Sequence, residues 1–260
     1  MKADVTKADI VAGVRALGIK PGDRLVVHSS LSSFGHVIGG APAVVEALLE
    51  SVGSAGLLMM PTYARKKDDN GDLLAHGFEN ERVSTGTIPA TFARHPRAFR
   101  GHNPLYSITC AGEGAQELAR ENGQLMFPYG DDQQYRVFLQ SGGYVLLIGV
   151  GERVNSSIHA VEEMYDPPYL QQKKSQSHLE VDEFFAMPLA QRRGSLKHHN
   201  TRPKRDFTRV SQLLKDAHIL RQACIGKAVL TLEPGWQLKR ILLEALQEDV
   251  NFMVVDEASA

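Results

Sequence analysis

The chain has little of what would mark several broad classes of protein. Among its 260 residues there are two cysteines and one tryptophan. Cys110 and Cys224 stand alone without a Cys-x-x-Cys spacing, which argues against a disulfide framework or a zinc ribbon and for a reducing compartment. No apolar run approaches the roughly 18 residues of a membrane span, and Met1-Lys-Ala-Asp-Val-Thr-Lys-Ala-Asp9 lacks the apolar core of a secretory signal. A soluble, cytoplasmic protein without a membrane partner is the expectation. Neither sign of charge dominates, with 29 Lys and Arg against 30 Asp and Glu, so nothing draws the chain as a whole toward nucleic acid. There is no Gly-Lys-Ser/Thr of a P-loop and no Gly-x-Gly-x-x-Gly fingerprint. The histidines show no credible ligand spacing, and no metal is expected.

What is present is a chain that can bury a large core, with 43% hydrophobic residues, and a single domain over 1–260 is the natural reading. Thr6-Lys-Ala-Asp9 has capping-box spacing ahead of Ile10, Val11, Val14 and Leu17, which recur at helical intervals. Leu25-Val26-Val27 reads as a buried strand opening into His28-Ser29-Ser30-Leu31. Gly39-Gly40-Ala41-Pro42 leads a helix to Val52, and Leu57-Leu-Met-Met60 is the next strand, stopped by Pro61. Further on, the pattern predicts helices over Thr87–Arg94, Ala115–Glu121, Tyr135–Leu139, 157–165, Val210–Asp216 and Gln237–Leu246. It predicts strands over Ser107–Ala111 and Tyr144–Val150. Strand and helix alternate, so the expected class is α/β, a mostly parallel or mixed sheet with helices on both faces. Residues 64–86 and 170–206 are read as long irregular excursions. The basic cluster Lys197-His-His-Asn-Thr-Arg-Pro-Lys-Arg205 fits a phosphate-binding edge or a solvated loop.

Two segments could carry chemistry. His159 and Glu162 are three residues apart just after the Tyr144–Val150 run. On a helix they share a face, so the carboxylate can hold one imidazole nitrogen while the other meets a substrate proton. The same spacing also occurs on solvated helix faces. Ser29, Ser30, Gly35 and Gly39-Gly40 form a turn ahead of a helix, where free backbone amides suit a phosphate or an oxyanion, though a plain turn has the same composition. His28 reads either as a catalytic group or as a hydrogen-bonded strand-end histidine.

Taken in order, His28-Ser-Ser-Leu31, Gly35, Gly39-Gly40, Met60-Pro-Thr62, Gly86-Thr-Ile-Pro89, Arg100 with Pro104 and Ser107, Leu146-Leu-Ile-Gly149, Ile158-His159 with Glu162, and Ile225-Gly226-Lys-Ala228 resemble the aminoglycoside 3-N-acetyltransferase family. The resemblance spans most of the chain. It implies direct transfer of acetyl from acetyl-CoA to an amine, with His159 as general base held by Glu162. It also implies cofactor contacts at His28, Ser29, Ser30, Leu31, Gly39, Gly40 and Ser107, and no need of a metal. A small-molecule amine is the implied partner, bound by a monomer or homodimer.

The chain departs from the family pattern in two motifs, and its loop after Thr62 is shorter than in many members. Where the family commonly has Arg-Ser-x-His-Pro-x-His-Ser, this chain reads Arg100-Gly-His-Asn-Pro-Leu-Tyr-Ser107, so Asn103 and Tyr106 replace two histidines. A Gly-x-x-Ser-Pro becomes Gly130-Asp-Asp-Gln133-Gln134. An aminoglycoside is a polycation, and the carboxylates expected to meet it are Asp68, Asp69, Asp72, Glu79, Glu81, Asp131, Asp132, Glu163 and Asp166. Two other expectations stand beside this one: an acyltransferase for a different amine, and a CoA-binding protein without catalysis.

Overall fold

The computed structural model describes residues 4–63, 83–101, 103, 106–122, 133–170 and 203–255, together with the backbone of 65–67, 73–75 and 196–198. The first helix, α1 (Lys7–Ala16), opens on the capping box: Asp9 N donates to Thr6 Oγ1, and Thr6 N donates to Asp9 Oδ2. The chain then alternates β1 (Arg24–Ser29), α2 (Gly40–Val52) and β2 (Leu57–Pro61) before two short strands, β3 (Arg65–Lys67) and β4 (Leu73–Ala75). It continues through α3 (Thr87–Phe92), β5 (Phe99–Arg100), β6 (Ile108–Gly112), α4 (Ala115–Asn122), α5 (Gln133–Arg136), β7 (Gly143–Ile148) and α6 (Ser156–Tyr165). The last elements are β8 (Leu196–His198), α7 (Thr208–Asp216), β9 (Arg221–Ile225), β10 (Ala228–Pro234) and α8 (Gly235–Glu248).

Seven strands form one mixed sheet in the order β5-β6-β2-β1-β7-β10-β9. Only the pairs β1–β2 and β1–β7 are parallel, and the outer pairs are antiparallel. Side chains alternate through this sheet as strand geometry requires. Leu25, Val27, Leu58, Met60, Leu146 and Ile148 pack with α1, α2 and α3. Val26, Met59, Val145 and Leu147 pack with α4, α6, α7 and α8. Both faces are therefore covered, which is why the central strands read as unbroken apolar runs rather than as alternating ones.

The α/β class and the mixed sheet agree with the sequence reading, and three local readings need correction. The two excursions are not wholly irregular: β3 pairs with β4, and β4 with β8, so the first excursion meets the second in a small antiparallel sheet. The short helix expected over Tyr135–Leu139 lies at Gln133–Arg136, while Phe138 and Leu139 follow it as buried turn residues. The hairpin of β9 and β10 was not foreseen. Its outer strand is largely exposed and lacks a clean two-residue alternation, so pattern alone gave no strand there. Its loop is the two-residue turn Gly226-Lys227, in which Gly226 takes φ +58°.

Gly226 is also pressed against the loop after β1, where Lys227 N donates to Phe34 O at 3.1 Å and an added Cβ at 226 would collide with that same carbonyl. Gly22 has a positive φ too, but open space around it. Gly22→Ala should therefore cost only backbone strain, about 1 kcal/mol, and Gly226→Ala at least about 1 kcal/mol more from the clash. Urea denaturation of the two variants checks this ordering, and equal costs would show that the hairpin does not press on the β1 loop.

Candidate active site

The site is built on the first turn of α6. β7 ends at Ile148, and the chain crosses Gly149-Val150-Gly151 and a short 3₁₀ turn, Glu152–Val154, before Asn155 caps the helix by accepting from Ser157 N at 3.0 Å. The preceding amide, Ser156 N, donates to Nε2 of His28 at the end of β1 (3.3 Å). Two first-turn donors that a helix leaves orphaned are thus satisfied from its own cap and from the neighbouring strand. Asn155 is itself held, its Nδ2 donating to Glu152 Oε2 (2.8 Å) and Glu233 Oε2 (3.1 Å), all three residues buried. Burial, then the adjacent Glu152 and a hydrogen bond with it, push Glu233 well above the usual carboxylate range.

One turn further along α6, His159 Nδ1 lies 3.3 Å from Glu162 Oε2, the imidazole 22% exposed and Glu162 completely buried. The sequence spacing predicts this meeting, and the structure adds the surroundings. Tyr169 Oη donates to Glu162 Oε1 at 2.9 Å, Arg205 Nε sits 3.5 Å from that same oxygen, and Arg205 Nη2 lies 3.3 Å from His159 Nδ1. Phe207 packs edge-on against the imidazole, with centroids 4.7 Å apart and planes at 73°. Burial by itself raises the Glu162 pKa, but the hydrogen bond from His159, the Arg205 charge and the Tyr169 hydroxyl outweigh it, and the net shift is downward. Glu162 is accordingly an anion at neutral pH. Its contribution to stability is complete above its unfolded value of 4.5 and is lost as pH falls through the lower folded value.

Arg205, Tyr169 and Phe207 were missed as site residues. Arg205 was read only within a basic cluster, and nothing in local spacing links it to a glutamate more than forty positions earlier.

The remaining predicted positions fall into four groups. Ser29, Ser30, Leu31, Gly39 and Gly40 lie together after β1. Leu31 opens a 3₁₀ turn to Phe34, Ser30 Oγ pairs with Ser32 Oγ at 3.1 Å, and Ser29 Oγ is buried with no hydrogen-bond partner among the described residues. Gly39 and Gly40 have φ of +80° and +59°, and the α2 N-terminus they form has no side-chain cap. Ser107 lies apart from that loop, in a buried cluster where its hydroxyl donates to Thr62 O at 2.6 Å. Glu163 is buried on α6, and Asp166 ends that helix in a left-handed conformation, φ +55°. Asp68, Asp69, Asp72, Glu79, Glu81, Asp131 and Asp132 lie outside the described residues. Among the described residues, no group of three or more His, Cys, Asp or Glu is arranged to hold a metal ion, and no helix is long and apolar enough to cross a membrane.

A model of the aminoglycoside 3-N-acetyltransferase family matches residues 26–235 of this chain. The chain belongs to that family. Aminoglycoside N(3)-acetyltransferase IV from Salmonella is 29% identical over 169 residues, which cover 65% of this chain and 63% of the relative. The aminoglycoside N(3')-acetyltransferase-like protein YokD of Bacillus subtilis is 30% identical over 183 residues, covering 63% of this chain and 66% of its own. The matches thus span just under two thirds of these relatives' length. Among solved structures, the apoenzyme of AAC(3)-IVa superposes with a TM-score of 0.78 at 22% identity, over 100% of this chain and 95% of that one. AAC-IIIb with CoASH does so at 0.74 and 19%, over 95% and 97%. At these identities the likeness is one of fold.

Asn103, Tyr106 and Gln134, three of the positions at which the sequence departs from the expected family pattern, lie on one buried network. Asn103 Oδ1 accepts from Tyr106 N (2.9 Å), and Asn122 donates to Tyr106 O (3.2 Å) and to Gln134 Oε1 (2.7 Å). Tyr106 packs edge-on against Tyr63, whose hydroxyl pairs with Ser156 Oγ at 2.9 Å on the first turn of α6. Three replacements scattered in sequence therefore share one wall leading to the His159 helix.

His28 yields a pH prediction. Burial pushes its pKa from 6.5 down to about 3, so it accepts the Ser156 amide as a neutral ring. A depressed histidine carries no penalty above its unfolded value. As pH falls below 6.5 the unfolded state gains a proton that the folded state refuses, and at pH 5 this costs about 2 kcal/mol. His28→Gln keeps an acceptor without titrating. Denaturation at pH 7 and pH 5 should show the parent losing about 2 kcal/mol more than the variant on acidification, and identical losses would refute the assignment.

Proposed function

We propose that this protein transfers the acetyl group of acetyl-CoA to an amino group of an aminoglycoside, the 3-amino group of its 2-deoxystreptamine ring, in one direct step with His159 as general base. The observation that carries the reading is the buried, charged Glu162 against His159 Nδ1, in a chain of this family. Supporting it, a solved relative of the same fold is named as a complex with CoASH, and a mutant of AAC(3)-IVa as a complex with apramycin.

Topology supports a crevice for the cosubstrate. β1 and β7 are parallel neighbours whose following helices, α2 and α6, pack on opposite faces of the sheet. Their loops part at the strands' carboxyl ends, where open α/β sheets bind ligands. The chain's groups suit CoA there: the uncapped α2 amides and left-handed Gly39-Gly40 fit a phosphate, and the unpartnered Ser29 hydroxyl fits the thioester end.

His159, with Nδ1–H donating to Glu162, presents Nε2 to take the proton of the acceptor ammonium. The amine nitrogen then attacks the thioester carbon, and the negative charge collects on the carbonyl oxygen, to which Ser29 Oγ–H can donate. Collapse breaks the carbon–sulfur bond, the imidazolium gives its proton to the departing thiolate, and the freed Nε2 takes the second proton of the attacking nitrogen and passes it to solvent, leaving the neutral amide. Ser107 is the poorer donor for this oxyanion because Thr62 O already holds its hydroxyl proton. The second reading, transfer to another amine, draws on the Asn103, Tyr106 and Gln134 replacements in the wall beside α6.

His159→Ala should lower turnover at neutral pH by about two to four orders of magnitude with CoA affinity nearly unchanged, and Glu162→Gln should lower it less. Thiol release from acetyl-CoA with a panel of aminoglycosides and other amines is the measurement. Parent-like rates for His159→Ala would end the general-base reading, and turnover with other amines alone would move the acceptor to the second reading. Gly39→Val should raise the Michaelis constant for acetyl-CoA more than that for the amine, since a side chain there blocks close approach at a positive φ. The reverse order would place the cosubstrate elsewhere.

A further inference from the structure

The backbone around Arg205 is tied to the C-terminal segment. Arg205 bridges Val254 in antiparallel fashion, Asp206 N donates to Met253 O (2.8 Å), and Val255 N donates to Lys204 O (2.9 Å). These bonds fix a short extended piece that carries both Arg205 and Phe207 onto α6. The Arg205 side chain is 10% exposed, and its guanidinium carbon lies 5.8 Å from the Phe207 ring centroid. A cation this far out of water is not held by accident of surface charge, because desolvating it is costly unless an anion faces it. Glu162 is that anion, 3.5 Å from Nε.

His159 Nδ1 is approached from two sides at equal distance, by Glu162 Oε2 and by Arg205 Nη2, each at 3.3 Å. Both contacts cannot be hydrogen bonds at once. If Nδ1 carries its proton it donates to Glu162, and Nε2 is left with a lone pair for a substrate proton. If Nδ1 is bare it accepts from Arg205, and the proton sits on Nε2, where it blocks that role. The fixed charges also oppose each other: the carboxylate favours imidazolium and the guanidinium disfavours it.

We propose that Arg205 is a positioning residue of the proton-transfer site, holding Glu162 in place to accept Nδ1–H and, as a fixed positive charge beside the ring, setting the pH at which His159 is able to take a proton. The proposal rests on the general-base reading. Among the described residues, the groups that face the pair are Glu162 from α6, Tyr169 from the segment after it, and Arg205 with the apolar ring of Phe207 from the segment before α7. With Arg205 neutralised, Glu162 acts on the imidazole without the guanidinium to oppose it, and the ring stays protonated to higher pH.

The test is a nitrogen-detected NMR titration of His159 in the full chain without substrates, comparing the parent with Arg205→Gln and Arg205→Lys. In the Gln variant the midpoint of His159 should rise by about one pH unit, the low end for a charge at this range. The Lys variant should return it most of the way, since the charge is kept while the fork is lost. Where the Gln variant does not fold, Arg205→Met, which keeps the apolar stem beside Phe207, is read the same way. An unmoved midpoint in a folded neutral variant overturns the proposal, as does a loss of folded protein with no change in midpoint, the mark of a purely structural arginine. Failure of the general-base reading shows separately, as undiminished turnover in His159→Ala, because the titration is read with no substrate present.

Discussion

Burying the charge of Glu162 is the constraint around which the rest of the site is arranged. A carboxylate with no solvent exposure stays ionised only if its oxygens are met by donors. Here Oε2 faces the imidazole, while Oε1 takes the Tyr169 hydroxyl and the Arg205 guanidinium. Each of these partners comes from a different stretch of chain, so meeting the needs of one carboxylate draws α6, the residues after it, and the segment before α7 into a single packed unit. The T-shaped contact of Phe207 closes that unit on its apolar side and limits how the ring can turn.

The position of α6 is fixed with similar economy from the other end. His28 on β1 and Asn155 in its own cap satisfy the first amides, and the buried Glu152 and Glu233 hold Asn155 in turn. Glu233 lies on β10, the hairpin strand beside β7. His159 therefore stands one turn from a junction of three neighbouring strands. Because β1 and β7 are buried along almost their whole length, His159 is presented from a helix anchored to a packed sheet rather than from a loop, as the proposed proton transfer requires. The loops on either side, from Ser30 to Gly39 and from Gly149 to Asn155, flank the carboxyl ends of β1 and β7, where the proposed cosubstrate crevice lies.

The family to which the chain belongs gives this arrangement a chemical meaning, and the local departures give it an individual one. Asn103, Tyr106 and Gln134 do not scatter: through Asn122 they share hydrogen bonds, and through Tyr63 they reach Ser156 at the start of α6. A change in that wall reaches the first turn of α6, which carries His159.

Much of this was legible in the amino-acid order. Apolar runs at Leu25–Val27, Leu57–Met60 and Val145–Ile148 mark strands covered on both faces, because only a doubly covered sheet hides every residue of a strand. The i,i+3 spacing places His159 and Glu162 together because helical geometry is local. The hairpin of β9 and β10 left little trace, since an exposed edge strand has no apolar periodicity to read. The small sheet of β3, β4 and β8 was hidden for another reason, as its pairing joins residues more than a hundred positions apart. Arg205 shows the same limit most sharply. Its sequence neighbours make it one cation in a basic run, and only the folding of the chain, which sets it against a buried carboxylate through the backbone of the C-terminal segment, makes it part of the site. Sequence alone determines what depends on neighbours along the chain, and the tertiary structure decides which distant charges share the same desolvated space.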